Sequence, residues 1–201
     1  MLRRNLLTLG LALPLLAVPG MTLAQAAPPA KAATAAKTAT AATAAADPYA
    51  PVEVPIREGF EVGSIVVVSD DYFLYHVIAP GRAIRYGVAV GSAELVWRGR
   101  ALVGRKTEWP SWTPTPDMIK RKPEQYAKYK DGMPGGPKNP LGARALYLHT
   151  ESGNDTAIRI HGTTDPGSIG KSVSNGCIRM RNEAVMDLFD DVPIGTPVYV
   201  Y

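Results

Sequence analysis

The chain has 201 residues, a formal net charge of +4 and a single cysteine. A lone cysteine excludes an internal disulfide, and Arg3 and Arg4 carry two of the excess charges, so the remaining net charge is only +2. A nearly neutral domain lacks the basic surface of a nucleic-acid-binding protein, and we expect no nucleic-acid partner.

The N-terminus has the pattern of an export signal. Arg3 and Arg4 precede a mostly apolar run at residues 6–18, and small residues follow, including Ala24. This order is typical of a cleaved secretory signal, which we assign to residues 1–24. The paired arginines also resemble a twin-arginine signal. An uncleaved anchor helix is the alternative, although the apolar run is shorter than the roughly 20 residues that span a bilayer. We expect export to the periplasm or cell wall.

Residues 25–46 are almost entirely alanine and threonine. They contain almost no large apolar side chain, so burial cannot offset the entropy lost on ordering. We predict a linker here, with an alanine-rich helix as the alternative. The remaining residues, 47–201, are long enough for one domain with one core.

The periodicity of this domain predicts more strands than helices. Strands are predicted at 65–68, 73–78, 83–90, 101–107, 143–149, 157–161 and 196–201. Short helical pieces broken at Pro123 are predicted within 117–130, and Asn182 is predicted to cap a helix through Asp190, with Glu183 in its first turn. The pattern indicates a mainly β fold.

The cysteine lies in a turn sequence, Ser174-Asn175-Gly176-Cys177. A single cysteine is commonly a buried apolar residue, but such residues are more often found in strands or helices than in turns. Gly176 permits close backbone approach, so a substrate carbonyl could reach the sulfur. The N–H groups of Gly176 and Cys177 could then stabilise the oxyanion. We therefore interpret Cys177 as a candidate nucleophile.

A partner for this thiol lies upstream. His161 ends a predicted strand and precedes a loop rich in glycine, threonine and proline. An imidazole beside a thiol favours the thiolate, so we expect His161 to keep Cys177 ionised; a surface loop residue is the alternative. His76 and His149 lie within predicted strands, and we expect structural roles for them. The separation of the three histidines predicts no metal site.

Taken together, these residues resemble the signature of the L,D-transpeptidase (YkuD-type) family. His161-Gly162-Thr163 is followed by a loop and then by Ser174-Asn175-Gly176-Cys177-Ile178-Arg179. Asn139-Pro140-Leu141-Gly142 and the run from Trp112 to Pro116 also resemble family segments. Asn175 departs from the histidine or lysine of many members. The resemblance implies a β-sandwich-like catalytic domain with short helices and with the cysteine at the mouth of a cleft.

The resemblance also implies a two-step acyl transfer. The Cys177 thiolate would attack the L-centre carbonyl of the third residue of a peptidoglycan tetrapeptide stem, and D-alanine would leave. His161 would act as base and then as acid, the Gly162 carbonyl would orient its ring, and the Gly176 N–H would bind the oxyanion. The residues assigned to substrate binding are Arg179, Ser174, Asn175, Thr163 and Trp112.

The implied partners are peptidoglycan stem peptides and an amine acceptor. The acceptor is a second stem, giving a 3→3 cross-link, a wall-linked protein lysine or a D-amino acid; carbapenem-type β-lactams would acylate the thiol. No cofactor is expected, because a thiolate needs no metal. The alternatives are an L,D-carboxypeptidase that uses water and a catalytically silent peptidoglycan-binding module. Sortases separate His and Cys much farther, and papain-like peptidases reverse their order.

Overall fold

The computed structural model describes residues 47–201. The predicted signal peptide and linker, residues 1–46, lie outside this range, so both stay predictions. Within it, no helix has the length and apolar character needed to cross a bilayer.

The described domain contains eleven strands and three α-helices. The strands are β1 (Val52–Pro55), β2 (Ile65–Val68), β3 (Phe73–Ala79), β4 (Arg82–Gly87), β5 (Val90–Gly91), β6 (Gly99–Glu108), β7 (Arg144–His149), β8 (Asp155–His161), β9 (Ser172–Ser174), β10 (Ile178–Arg179) and β11 (Pro197–Val200). The helices are α1 (Pro116–Arg121), α2 (Pro123–Tyr126) and α3 (Asn182–Asp191).

Nine strands form one sheet in the order β1-β4-β3-β2-β11-β6-β7-β8-β10, and β5 pairs with β9. Most neighbours are antiparallel, but β2 runs parallel to β11 and β10 runs parallel to β8. The domain has one hydrophobic core. It includes Leu74, Leu146 and Ile160 from strands in both halves of the large sheet, and Leu188 from one face of α3. The fold class is therefore mainly β with few short helices, as predicted.

Most predicted strands are confirmed within two residues, and the helical pieces around Pro123 are confirmed. The single strand predicted at 83–90 is wrong. The chain leaves the large sheet after Gly87, and Val90 joins β9 in the small sheet. Val88 and Ala89, which connect the two sheets, are as fully buried as a strand in the core. Their apolar side chains therefore gave no sign that the strand ends at Gly87. Three short strands, β1, β9 and β10, were not predicted.

The helices α1 and α2 lie in a long connection between β6 and β7, residues 110–138, which we call the cap segment. Thr115 caps α1 by accepting a hydrogen bond from the Met118 N–H, and a proline at the first turn of each helix favours its start. Neither helix contributes a buried residue. These two helices therefore rest on the domain without adding to its core.

The start of the described chain, Asp47–Pro55, forms a strap along one edge of the sheet. Strand β1 pairs with β4, and the Tyr49 carbonyl accepts a hydrogen bond from the Gly87 N–H. The Tyr49 ring packs against Phe73 and lies so close to Gly170 that any Cβ there would collide with it. Asp47 forms an ion pair with Arg181, which holds the pKa of the Asp47 carboxyl below its usual range. The strap thus contacts the chain on both sides of Cys177.

Candidate active site

The parallel pairing of β8 with β10 brings the two candidate catalytic segments together. Ile178 is opposite Ile160, and Arg179 is opposite His161. Side chains two residues apart on a strand share a face. Extending this register by one residue sets Cys177 beside Arg159, on the same face as His161 and Arg179.

These side chains line one cleft of about 390 Å³. Its floor comes from β7, β8 and β10, and its opposite wall comes from the cap segment. The lining residues are Ser111, Trp112, Thr113, Thr115, Met118, Gln125, Tyr126, Pro140, Leu141, Tyr147, Ala157, Ile158, Arg159, His161, Ser174, Asn175, Cys177 and Arg179. His76 and His149 do not line it.

The His161 imidazole is 4% exposed and its orientation is set by the next residue. Nδ1 lies 2.6 Å from the Gly162 carbonyl oxygen. Because a carbonyl only accepts, Nδ1 carries the proton in this contact and Nε2 is left with the lone pair. Burial lowers the pKa of His161 to about 4, and this outweighs the opposite effect of the Gly162 hydrogen bond.

The Cys177 thiol is half-buried, and its hydrogen bond is to the Ala157 carbonyl at 3.9 Å. Ala157 has a φ of +61°, a conformation that is uncommon for a residue with a Cβ. The Ala157 N–H bonds Asp155 Oδ1 at 2.8 Å, which holds this irregular part of β8 in place. Burial raises the pKa of the thiol, and Arg159 and Arg179 oppose that rise.

These pKa directions run against the expectation that His161 keeps the sulfur ionised in the free protein, and that expectation stays a prediction. The lowered pKa of His161 and the raised pKa of the Cys177 thiol both favour the neutral forms. Burial disfavours both charged forms, an effect that the sequence could not reveal. A neutral imidazole is nevertheless the form that can accept a proton when a substrate arrives.

The turn before Cys177 is organised by Ser174. Its buried hydroxyl donates to the Cys177 carbonyl at 2.5 Å and accepts from the Gly176 N–H at 3.2 Å. The Gly176 N–H, which the sequence predicts to bind the oxyanion, is engaged in this hydrogen bond, so its oxyanion role stays a prediction. Ser174 is likewise occupied within the turn rather than available to bind substrate. The Cys177 N–H makes no hydrogen bond to any residue of 47–201 and is the amide left available.

Asn175 connects the cysteine turn to the cap segment. Its Oδ1 accepts from Arg121 Nη2 at 3.0 Å, and its Nδ2 donates to the Tyr126 hydroxyl at 3.1 Å. Trp112 packs edge-on against Tyr126 and Tyr129. Asn175 and Trp112 thus line the cleft, and their predicted contacts with substrate stay predictions. Asn175 joins the cysteine turn to the cap segment, whereas the Trp112 contacts lie within that segment.

Thr163 does not line the cleft, so the structure gives no support to its predicted contact with substrate. The residue is buried, and its Oγ1 accepts from the Asp165 N–H at 3.0 Å, within the loop that follows His161. The Thr163 N–H and carbonyl bond the side chain of Asn182 instead. The prediction that Asn182 caps α3 is wrong: Arg181 occupies the cap position, and Asn182 is the first helical residue.

No group of three or more His, Cys, Asp or Glu side chains able to hold a metal ion occurs between residues 47 and 201. The charged groups that do reach the cleft are cationic, namely Arg159 and Arg179. The cleft is therefore suited to a thiol, an imidazole and two guanidinium groups acting on an anionic ligand.

Comparison with known proteins decides the family. The model of the L,D-transpeptidase catalytic domain, YkuD, matches residues 63–200. The chain belongs to this L,D-transpeptidase family.

Named relatives agree with this assignment. The probable L,D-transpeptidase ErfK/SrfK of Escherichia coli K12 is 33% identical over 156 residues, which are 75% of this chain and 47% of that protein. A putative L,D-transpeptidase in the ATP synthase subunits region of Fuscovulum blasticum is 44% identical over 111 residues, 54% of this chain and 52% of that protein. The chain thus spans about half the length of these curated relatives.

A solved structure with high identity is that of a probable carnitine operon oxidoreductase, CaiA, from Brucella melitensis. It is 49% identical, has a TM-score of 0.53, and matches 75% of this chain and 92% of its own. Its name describes a different activity, and the family assignment above depends instead on the match over residues 63–200.

The L,D-transpeptidase cleft contains residues that the sequence interpretation missed. Arg159 donates to the Asp155 carboxylate through Nη1 and Nη2, at 2.7 and 2.8 Å. Its guanidinium also stacks on the Tyr147 ring, whose centroid lies 4.4 Å away. A second guanidinium, from Arg105, lies 3.3 Å from the same centroid. Arg159 could have been found, because it lies two residues before His161 on a strand and so shares its face.

Proposed function

We propose that this protein is a peptidoglycan L,D-transpeptidase in which Cys177 is the nucleophile and His161 the general base. The observation that carries the proposal is that the β8–β10 pairing directs both side chains into one cleft. Because the chain spans about half of its relatives, the substrate and the acceptor are also part of the proposal.

In the first step, Nε2 of His161 takes the thiol proton as Cys177 Sγ attacks the carbonyl of the third stem residue. A sulfur–carbon bond forms, the amide C–N bond breaks, and the imidazolium returns the proton to the departing D-alanine nitrogen. The products are a thioester and free D-alanine. A neutral imidazole in the free protein is the state this step requires.

Two features of the cleft would favour the transition state. The Cys177 N–H lies beside the attacked carbon and is available for the developing oxyanion. Arg159 and Arg179 stabilise the thiolate formed on the way, since both guanidinium groups oppose the rise in the thiol pKa. We also assign Arg179 to a substrate carboxylate, because it is half-buried and lines the cleft.

In the second step, an amine attacks the thioester, gives its proton to His161 and releases the thiol. A second stem gives a 3→3 cross-link, a protein lysine gives an anchored protein, and a D-amino acid gives an exchanged stem. Water gives the carboxypeptidase product. A carbapenem carbonyl would acylate the same sulfur. The signal-like N-terminus supports action in the periplasm or cell wall.

The test is to incubate the full chain with a purified disaccharide-tetrapeptide and to identify products by mass spectrometry. We expect loss of D-alanine and formation of a cross-linked dimer. If a tripeptide is the only product, the carboxypeptidase is supported instead of the transpeptidase. If the substrate is unchanged and no covalent adduct forms, the silent binding module is supported.

The matched control is Cys177→Ala. We expect this variant to lose all acyl-enzyme formation while keeping the wild-type circular dichroism spectrum, because a half-buried turn residue contributes little to the core. Acylation that survives the substitution would remove Cys177 from the mechanism.

A further inference from the structure

We propose that Asn182 is a positioning residue for His161: its carboxamide sets the orientation of the Gly162–Thr163 peptide group, which in turn holds the imidazole. The inference rests on the proposed function, in which His161 is the base. Asn182 lies outside the His–Cys loop, at the start of α3.

The Asn182 side chain makes three hydrogen bonds to two other segments of the chain. Oδ1 accepts from the Ala143 N–H at 3.0 Å and from the Thr163 N–H at 3.3 Å. Nδ2 donates to the Thr163 carbonyl at 3.1 Å. One amide thus joins α3 to the loop after His161 and to the residue before β7.

The decisive contact is with the Thr163 N–H, because that N–H and the Gly162 carbonyl belong to one peptide group. A peptide group is planar, so fixing its N–H direction also fixes the direction of its carbonyl. The same carbonyl lies 2.6 Å from His161 Nδ1. The position of the Asn182 amide therefore determines the orientation of this planar peptide group, and the peptide group determines the orientation of the imidazole.

The surrounding backbone is shaped to admit this amide. A Cβ at either Gly142 or Gly162 would collide with Asn182 Oδ1. The Gly162 N–H is separately held by the Arg144 carbonyl at 3.0 Å. With both ends of Gly162 fixed, the tautomer with its proton on Nδ1 is favoured, and Nε2 is left to act as base.

Asn182 is not explained by the needs of its own helix. The α3 N-cap makes no side-chain hydrogen bond, and the Asn182 amide is turned toward the loop instead of toward the N–H groups of α3. The N-cap position belongs to Arg181, so Asn182 is not needed as a cap and its amide serves the loop after His161.

The charges around His161 make its titration a usable signal. Arg159 on its own strand and Arg179 on β10 both lower its pKa, and the titratable Cys177 shares its cleft. The Gly162 hydrogen bond works in the opposite direction. Loosening that bond should therefore lower the pKa of His161 further, and a new negative charge nearby should raise it.

The first experiment uses Asn182→Ala in the full chain. We expect long-range ¹⁵N–¹H spectra of histidine-labelled protein to show a smaller fraction of the Nδ1–H tautomer of His161. We also expect acylation by a carbapenem, followed by mass spectrometry, to slow about 10²-fold, because small misplacements of a catalytic group have effects of that order. The acidic limb of its pH–rate profile should move to lower pH.

The second variant is Asn182→Asp, which keeps an acceptor for both N–H groups and loses only the donor. A carboxylate in the first turn of a helix is favourable, so α3 should stay folded. We expect roughly a tenfold slower acylation at most, retention of the Nδ1–H tautomer, and an acidic limb shifted to higher pH. Opposite shifts in the two variants are not expected from a merely structural residue.

Glu183→Ala is the matched control, because Glu183 is the next residue of α3 and is exposed. It should leave the tautomer and the acylation rate unchanged. The proposal is overturned if Asn182→Ala keeps the wild-type tautomer, if both variants show the same pH profile, or if both lose their fold. Absence of acylation in the wild type would instead defeat the proposed function, and the tautomer spectra would still decide the role of Asn182.

Discussion

The two walls of the cleft are built in different ways. The wall that carries His161 and Cys177 is an edge of the nine-stranded sheet, backed by fully or nearly fully buried apolar side chains such as Leu146 and Ile160. The opposite wall is the cap segment, whose two helices bury no residue. Two hydrogen bonds of Asn175 connect it to the cysteine turn, and aromatic contacts of Trp112 stabilise it internally.

Because of this difference, one wall of the cleft holds the reacting groups and the other controls how a ligand enters. A sheet ladder with a close-packed core behind it holds reacting groups at fixed positions, which proton transfer requires. A segment with few buried apolar contacts opens at low free-energy cost, so a peptide strand can enter and leave. The following predictions test whether the two walls differ as this arrangement implies.

The largest effect is expected from His161→Ala, which removes the base from the fixed wall. Acylation by a carbapenem or a tetrapeptide should slow by roughly 10²–10⁴-fold, measured by intact-protein mass spectrometry. His149→Ala is the control, since His149 ends β7 but does not line the cleft. A wild-type rate in His161→Ala would remove that residue from the mechanism.

The next largest effect concerns stability. Leu146→Ala deletes a fully buried side chain behind the fixed wall and should lower the free energy of unfolding by about 2–5 kcal/mol in urea titrations. Met118→Ala, on the half-buried surface of α1, should cost under about 1 kcal/mol. Equal losses would mean that the cap segment belongs to the same cooperative core.

The smallest effect is expected from Asn175→Ala, which removes both polar bonds between the cysteine turn and the cap segment. We expect the KM for a tetrapeptide to rise about fivefold, because each of the two lost hydrogen bonds is worth about 0.5 kcal/mol at the low end of the usual range. Tyr126→Phe removes one of the two bonds and should produce an intermediate KM. A fall in kcat at unchanged KM would show instead that Asn175 acts on the nucleophile.

The sequence was informative where local pattern and function coincide. The run His161-Gly162-Thr163, the turn ending at Cys177 and the alternation along β8 were enough to bring the two segments to one cleft in the prediction. Most strands were also visible, because their apolar residues recur with the period of a sheet.

It was uninformative where distant contacts decide the outcome. The break between Gly87 and Val90 occurs inside an unbroken apolar run, and the strands β9 and β10 are too short to show a period. Burial sets the protonation of His161 and Cys177, and it depends on segments far along the chain. Asn182 carries the signal of a helix cap, and only the folded chain shows that its amide is turned to Gly142 and Thr163.

The strap has a mechanical consequence. Asp47 lies beside Arg181, two residues from Arg179, although β1 of the same strap is the edge strand opposite β10 in the large sheet. A pull on that end would strain the Asp47–Arg181 pair and the Tyr49 contact with Gly170 before it reached the apolar interior. Displacement of the strap would therefore disturb the chain on either side of Cys177 first.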